Sequence, residues 1–144
     1  MTPIDERFSA ALHSTARAWR QEIDRRLKPL GISQASWMAI AFTAKETTPL
    51  SQTQLAKLVG VEDPTMVATV DRLVKAGYML RTPSATDRRV KRLSLTPAGM
   101  EIYHKVKTEA TTVRAELLRH ADPEALRIAT ELLESVRAAL EGEL

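Results

Sequence analysis

The chain has 144 residues, 44% of them hydrophobic and 27% charged, with a formal net charge of +3 and no cysteine. That length and balance fit one globular domain, and the missing cysteines exclude disulfides, thiolate zinc sites and cysteine nucleophiles. The N-terminal stretch MTPIDERFSAALHSTARAW lacks the apolar segment of a signal peptide, and no run approaches the ~20 apolar residues of a membrane span. A cytoplasmic protein without membrane contact is therefore expected.

Six helix starts can be read in chain order. Thr2-Pro3, Asp63-Pro64, Thr96-Pro97 and Asp122-Pro123 each set a capping residue before a proline at the first helical position. Ser51 with Gln54 makes a capping box, and Ser33 is a further cap. The first helix is long, with a stripe of Ile4, Phe8, Leu12, Trp19, Ile23 and Leu27, and it stops near Lys28-Pro29. The second carries Trp37, Ile40, Ala41 and Ala44. The third is short and ends at Gly60. The fourth carries Val67, Val70, Leu73 and Val74 and stops at Gly77. Two short alternating runs, YMLRT and VKRLSL, read as a β-hairpin. The fifth helix carries Met100, Tyr103, Val106, Ala110, Val113 and Leu117. The sixth carries Leu126, Ala129, Leu133, Val136 and Leu140.

Charge is distributed unevenly. Arg72 to Arg92 holds seven basic residues and one acid, Asp87, whereas Ala121 to Leu144 holds six acids and two arginines. One segment suits a polyanion and the other does not. Two short helices around a tight turn at Gly60-Val61, then a basic hairpin, describe a winged helix-turn-helix. Its second helix presents side chains to the major groove, and the wing can set an arginine in the minor groove. The loop tip from Ser84 to Arg89 can reach a groove, with Lys91 and Arg92 over phosphates. Asp87 is expected to brace Arg89 in an extended pose and leave Arg88 for phosphate or groove contact.

The segments RLKPLGISQASW, SQTQLAKLVGVEDPTMV, DRLVKAGYMLR and TDRRVKRLSLTPAG resemble the MarR/SlyA family of bacterial transcription regulators over nearly the whole chain, with the SlyA branch looking closest. The resemblance implies a single MarR-type domain over residues 1–144, mainly α with a small β-hairpin wing. Helical dimerisation segments would lie at about 1–30 and 98–144, and the DNA-binding lobe at about 33–97. It implies a homodimer on a palindromic operator in double-stranded DNA. Pro64, Thr65, Ala68 and Thr69 match base-reading positions, and Arg72 could serve a phosphate one turn later. Ser51, Gln52 and Arg81 are further candidates for DNA contact. Ala68 departs from the basic residue often found there, which weakens direct readout because arginine to guanine is the commonest specific contact.

The family often binds small aromatic or phenolic carboxylates, and Arg17, Arg20 and Trp37 match positions facing that cavity, with Thr69 approaching it. A guanidinium can pair with a carboxylate while an indole stacks on a ring. His13, His104 and His120 share no ligand spacing and the glycines do not cluster, so no metal, cofactor or catalytic site is expected. The rival reading is an architectural DNA-binding protein of low sequence preference that relieves silencing of AT-rich DNA.

Overall fold

The computed structural model describes residues 1–142, in which six α-helices accompany a small antiparallel sheet. Helix α1 spans Ile4–Arg26. Its cap is Pro3, not Thr2, and no side chain caps it; Asp5 and Glu6 in the first turn and Arg25 and Arg26 in the last complement the helix dipole instead. A single 3-10 turn, Lys28–Leu30, follows and ends on Gly31 at φ 68°. Of the expected stripe, Ile23 and Leu27 are buried, whereas Ile4, Phe8 and Leu12 are exposed.

Helix α2 (Gln34–Lys45) starts where the Ser33 hydroxyl accepts the Ser36 amide at 3.1 Å. Strand β1 is two residues, Leu50–Ser51, and the sequence did not announce it. Helix α3 (Gln52–Val59) opens with the expected capping box: the Gln54 amide donates to Ser51 Oγ at 3.1 Å and the Ser51 amide to Gln54 Oε1 at 2.9 Å. Gly60, at φ 84°, ends it in the left-handed conformation that glycine adopts without strain. Helix α4 (Asp63–Lys75) is flanked by Glu62 in the cap position, not Asp63, so Pro64 is its second residue. A proline in the first helical turn displaces no intrahelical hydrogen bond.

The buried face of α4 is Met66, Thr69, Val70 and Leu73. The expected stripe began at Val67; the true one begins a residue earlier, and Val67 is 40% exposed. Strands β2 (Met79–Pro83) and β3 (Lys91–Leu95) form the hairpin, with Met79 opposite Leu95 and Pro83 opposite Lys91. β1 adds to the far side of β3, giving the order β1-β3-β2. Ile40, Leu55, Met66, Val70, Met79 and Leu93 form the buried centre between α2, α3, α4 and the sheet.

Helix α5 (Pro97–Leu118) begins at Thr96, whose hydroxyl donates to the Gly77 carbonyl at 2.6 Å and accepts the Gly99 amide at 3.0 Å. The Thr96 amide also donates to Tyr78 O at 3.1 Å. One residue thus ties the turn after α4 to the start of α5. Gly99 allows the close approach, because a Cβ there would sit 2.0 Å from the Tyr78 carbonyl oxygen.

Two compact units divide the chain, Met1–Thr111 and a second from Thr112 onward. The division falls within α5. In the second unit, helix α6 (Pro123–Leu140) is capped by Asp122, which accepts the Ala125 amide at 2.9 Å. Arg127 pairs with Glu124 and, at 2.7 Å, with Glu131. No residue of α6 is buried; Leu126, Leu133, Val136 and Leu140 lie exposed, and Ile128 and Leu132 widen that apolar face. The last two positions of the expected segment 98–144 lie outside the described residues.

Candidate nucleic-acid interface

The turn between α3 and α4 is fixed by two amides, Gly60 N and Val61 N, donating to the Ala56 carbonyl at 2.8 and 3.1 Å. With its buried face against the lobe, α4 turns Pro64, Thr65, Ala68 and Arg72 outward, all exposed. Their spacing of three and four residues puts Pro64, Ala68 and Arg72 on one ridge, with Thr65 beside it. This is the open face expected of a recognition helix. Thr69 does not belong to it. Its side chain is fully buried and donates to Thr65 O at 2.8 Å, while Arg72 reaches its oxygen at 3.3 Å. A threonine three residues after Met66 follows the helical period of the core, a signal present in the sequence.

At the wing, Asp87 Oδ1 accepts the backbone amide of Arg89 at 3.0 Å and its Nε at 3.2 Å; Oδ2 accepts Nη2 at 3.4 Å. The Arg89 side chain is nonetheless 91% exposed. The side-chain hydrogen bond from Arg89, followed by that of its amide, holds the Asp87 carboxyl below its ordinary value. Ser84 shapes the loop: its amide donates to Val90 O at 2.8 Å, and its hydroxyl accepts the Thr86 amide at 3.3 Å. Arg88 and Lys91 are exposed, and Arg92 is half-buried with Nη1 3.5 Å from Gln54 Oε1.

Three other expected contacts are occupied within the lobe. The Ser51 hydroxyl is spent on the capping box. Gln52 Oε1 accepts Arg81 Nε at 2.7 Å, and Arg81 also reaches the Asp71 carboxylate and, at 3.4 Å, the Val67 carbonyl. Asp71 was not expected to have a role. The signal was there: period-2 alternation puts Arg81 on the inward face with Met79, where a cation needs a partner.

The expected ligand residues do not converge. Arg20 lines an open cleft of ≈ 400 Å³ with Gln34, Ala35, Met38, Val59, Gly60 and Val61. Arg17 is exposed on α1 and outside that lining. Trp37 is 6% exposed and its indole N–H donates to Asp24 Oδ1 at 2.9 Å, so it is a core residue joining α2 to α1 and not an open stacking surface. Thr69 is buried as described. A second cleft, of ≈ 390 Å³ beside Leu27, Leu30 and His104, contains none of the expected residues. Among the described residues no cluster of metal-ligating side chains occurs and no helix is long and apolar enough to cross a membrane.

A capped pair of helices with an outward ridge, followed by an arginine-tipped wing, defines a winged helix-turn-helix protein of the DNA-binding kind. Residues 33–91 match the family model described as the MarR family. The fold superposes on the transcriptional regulator PA3341 with a TM-score of 0.87 at 36% identity, covering 94% of this chain and 98% of that one. Wild-type MarR from E. coli matches in fold with a TM-score of 0.77 at 20% identity over 94% of this chain and 98% of that one. So does CouR from Rhodococcus jostii RHA1, solved bound to p-coumaroyl-CoA, with a TM-score of 0.80 at 18% identity over 94% and 95%. The chain belongs to the MarR family of DNA-binding transcriptional regulators.

Proposed function

We propose that the protein acts as a homodimer on a palindromic operator, reading it with α4 in the major groove and the wing in the minor groove. The observation that carries this reading is Arg89, a highly exposed guanidinium held in place by Asp87. A guanidinium fixed in advance suits a narrow groove of concentrated negative potential. The exposed Ile4, Phe8 and Leu12 of α1, and the apolar face of α6, supply surface for a second copy. Two-fold symmetry in the protein then calls for two-fold symmetry in the site. Selection of bound sequences from a random duplex pool tests this. Enrichment of an inverted repeat is expected; no enrichment would favour the architectural reading, which the absence of a basic residue at Ala68 keeps alive.

The effector reading narrows to the cleft at Arg20. An aromatic carboxylate there would pair with the guanidinium and press on Val59, Gly60 and Val61, the turn that sets α4 against α3. CouR, of the same fold, was solved with an acyl-CoA bound, which supports ligand response in this architecture. Millimolar salicylate is expected to lower operator affinity, and Arg20→Ala to abolish that response. An unchanged response in the variant would remove Arg20 from the site.

A further inference from the structure

Arg81 sits in the middle of β2, opposite Leu93, on the sheet face that buries Met79 and Leu93 completely or nearly so, while Leu80 on the other face is 51% exposed. Its side chain is 26% exposed, and its donors go to three places on two other elements. Nε meets Gln52 in the first turn of α3 at 2.7 Å, and Nη2 meets both the Asp71 carboxylate and the Val67 carbonyl of α4. Val67 and Asp71 are one helical turn apart, along the edge of α4 that adjoins the outward ridge of Pro64, Ala68 and Arg72.

We infer that Arg81 is a positioning residue that latches the wing to the recognition helix and to α3, and so sets operator affinity without touching DNA. The inference rests on the DNA-binding reading above. α4 and the wing address different grooves, so their spacing must match the duplex, and any slack is paid as ordering entropy on binding. A planar guanidinium presents donors in a rigid fork that can serve several acceptors at once. Lysine carries the same charge on a single compact head and cannot span Gln52, Asp71 and Val67 together. The ion pair itself adds little to stability, because the Asp71 side chain is 59% exposed. Removing the latch should therefore loosen the spacing and leave the fold intact.

The test measures operator affinity against salt for the full-length protein and for Arg81→Lys, Arg81→Ala and Asp71→Asn, with thermal unfolding of each. The latch predicts that Arg81→Lys and Arg81→Ala each lose about tenfold in affinity, the scale of coupled neighbours, with the wild-type salt slope. Asp71→Asn should also bind more weakly, although removing a negative charge near DNA would by itself tighten binding. Arg81→Lys at wild-type affinity, with the slope of Arg81→Ala shallower by about 0.9, would make Arg81 a phosphate contact and overturn the latch. Loss of thermal stability without loss of affinity would overturn it too, leaving a structural residue only. If Arg81→Ala fails to fold, Asp71→Asn decides by the sign of its change. A wild-type protein that binds no duplex DNA would fail the regulator reading first and take the positioning role with it.

Discussion

Asp87 holds Arg89 by both backbone and side chain, through the amide at 3.0 Å and through the guanidinium Nε at 3.2 Å and Nη2 at 3.4 Å. The acid fixes both where the arginine starts and where it points. Replacing Asp87 with Asn sets two effects against each other. Lost negative charge near phosphates favours binding, whereas a slackened Arg89 must be ordered on association. Weaker operator binding by Asp87→Asn is expected in a direct titration; tighter binding would reduce Asp87 to tempering charge.

Arg89→Ala should lose on the order of tenfold or more in affinity, the scale of a good specific contact. The loss should be greater on AT-flanked operators, whose minor groove is narrow, than on GC-flanked ones. Arg88→Ala should weaken operator and random duplex alike and make the salt slope shallower by about one contact. Equal losses of Arg89→Ala on both kinds of flank would make Arg89 a phosphate contact.

The same pair has a pH signature. Arg89 lowers the Asp87 carboxyl from its ordinary 3.8. A depressed carboxylate contributes its pairing fully above 3.8 and loses it as pH falls through the lower, folded value. The brace is thus constant through neutral pH and opens only in acid. Carboxyl NMR should place the Asp87 midpoint below 3.8 in the wild type and move it upward in Arg89→Ala. A midpoint that ignores the substitution would mean the contact is not populated in solution.

Much of this was legible because the signals are local. Ser33, Ser51, Thr96 and Asp122 cap the helices expected of them, since a hydroxyl or carboxylate three residues before a bare amide has few other uses. Pro3 and Glu62 took cap positions expected of Thr2 and Asp63 because a proline in the first turn leaves the start ambiguous by a residue. β1 was illegible: two residues show no period, and its existence depends on Leu93 and Arg92, about forty positions away. Thr69, Trp37 and Arg81 share a feature that residue type alone does not disclose. Each carries a hydrogen-bonding group, and each finds a partner inside the protein, in Thr65, Asp24 and the Gln52–Asp71 pair. Residue type announces that a hydrogen bond is needed and is silent on where it goes.

Gly99 admits no side chain, with the Tyr78 carbonyl 2.0 Å from a would-be Cβ. The obstacle is backbone, so relief requires the turn after α4 to move away from α5. Gly99→Ala should cost about 1–3 kcal/mol in urea unfolding, the range for forced overpacking. A variant as stable as wild type would show that this junction yields readily.

The exposed face of α6 discriminates a dimer from a monomer. On a monomer Val136→Glu is a surface change and should shift stability by no more than about 0.5 kcal/mol. Buried against a second copy, the charge would dissociate it. Sedimentation at low micromolar concentration is expected to give a dimer for the wild type and monomer or unfolded chain for Val136→Glu. A folded wild-type monomer of 16.0 kDa would contradict the dimer.

The central claim is sequence-selective DNA binding by the braced wing and the open face of α4. Its most direct test is the ratio of affinity for the selected operator to affinity for random duplex at about 0.15 M salt. Specific regulators bind their sites roughly a thousandfold or more above background, and the account predicts a ratio of at least that order. A ratio near one, with tight binding to both duplexes, would contradict it and leave a protein that coats DNA without reading it.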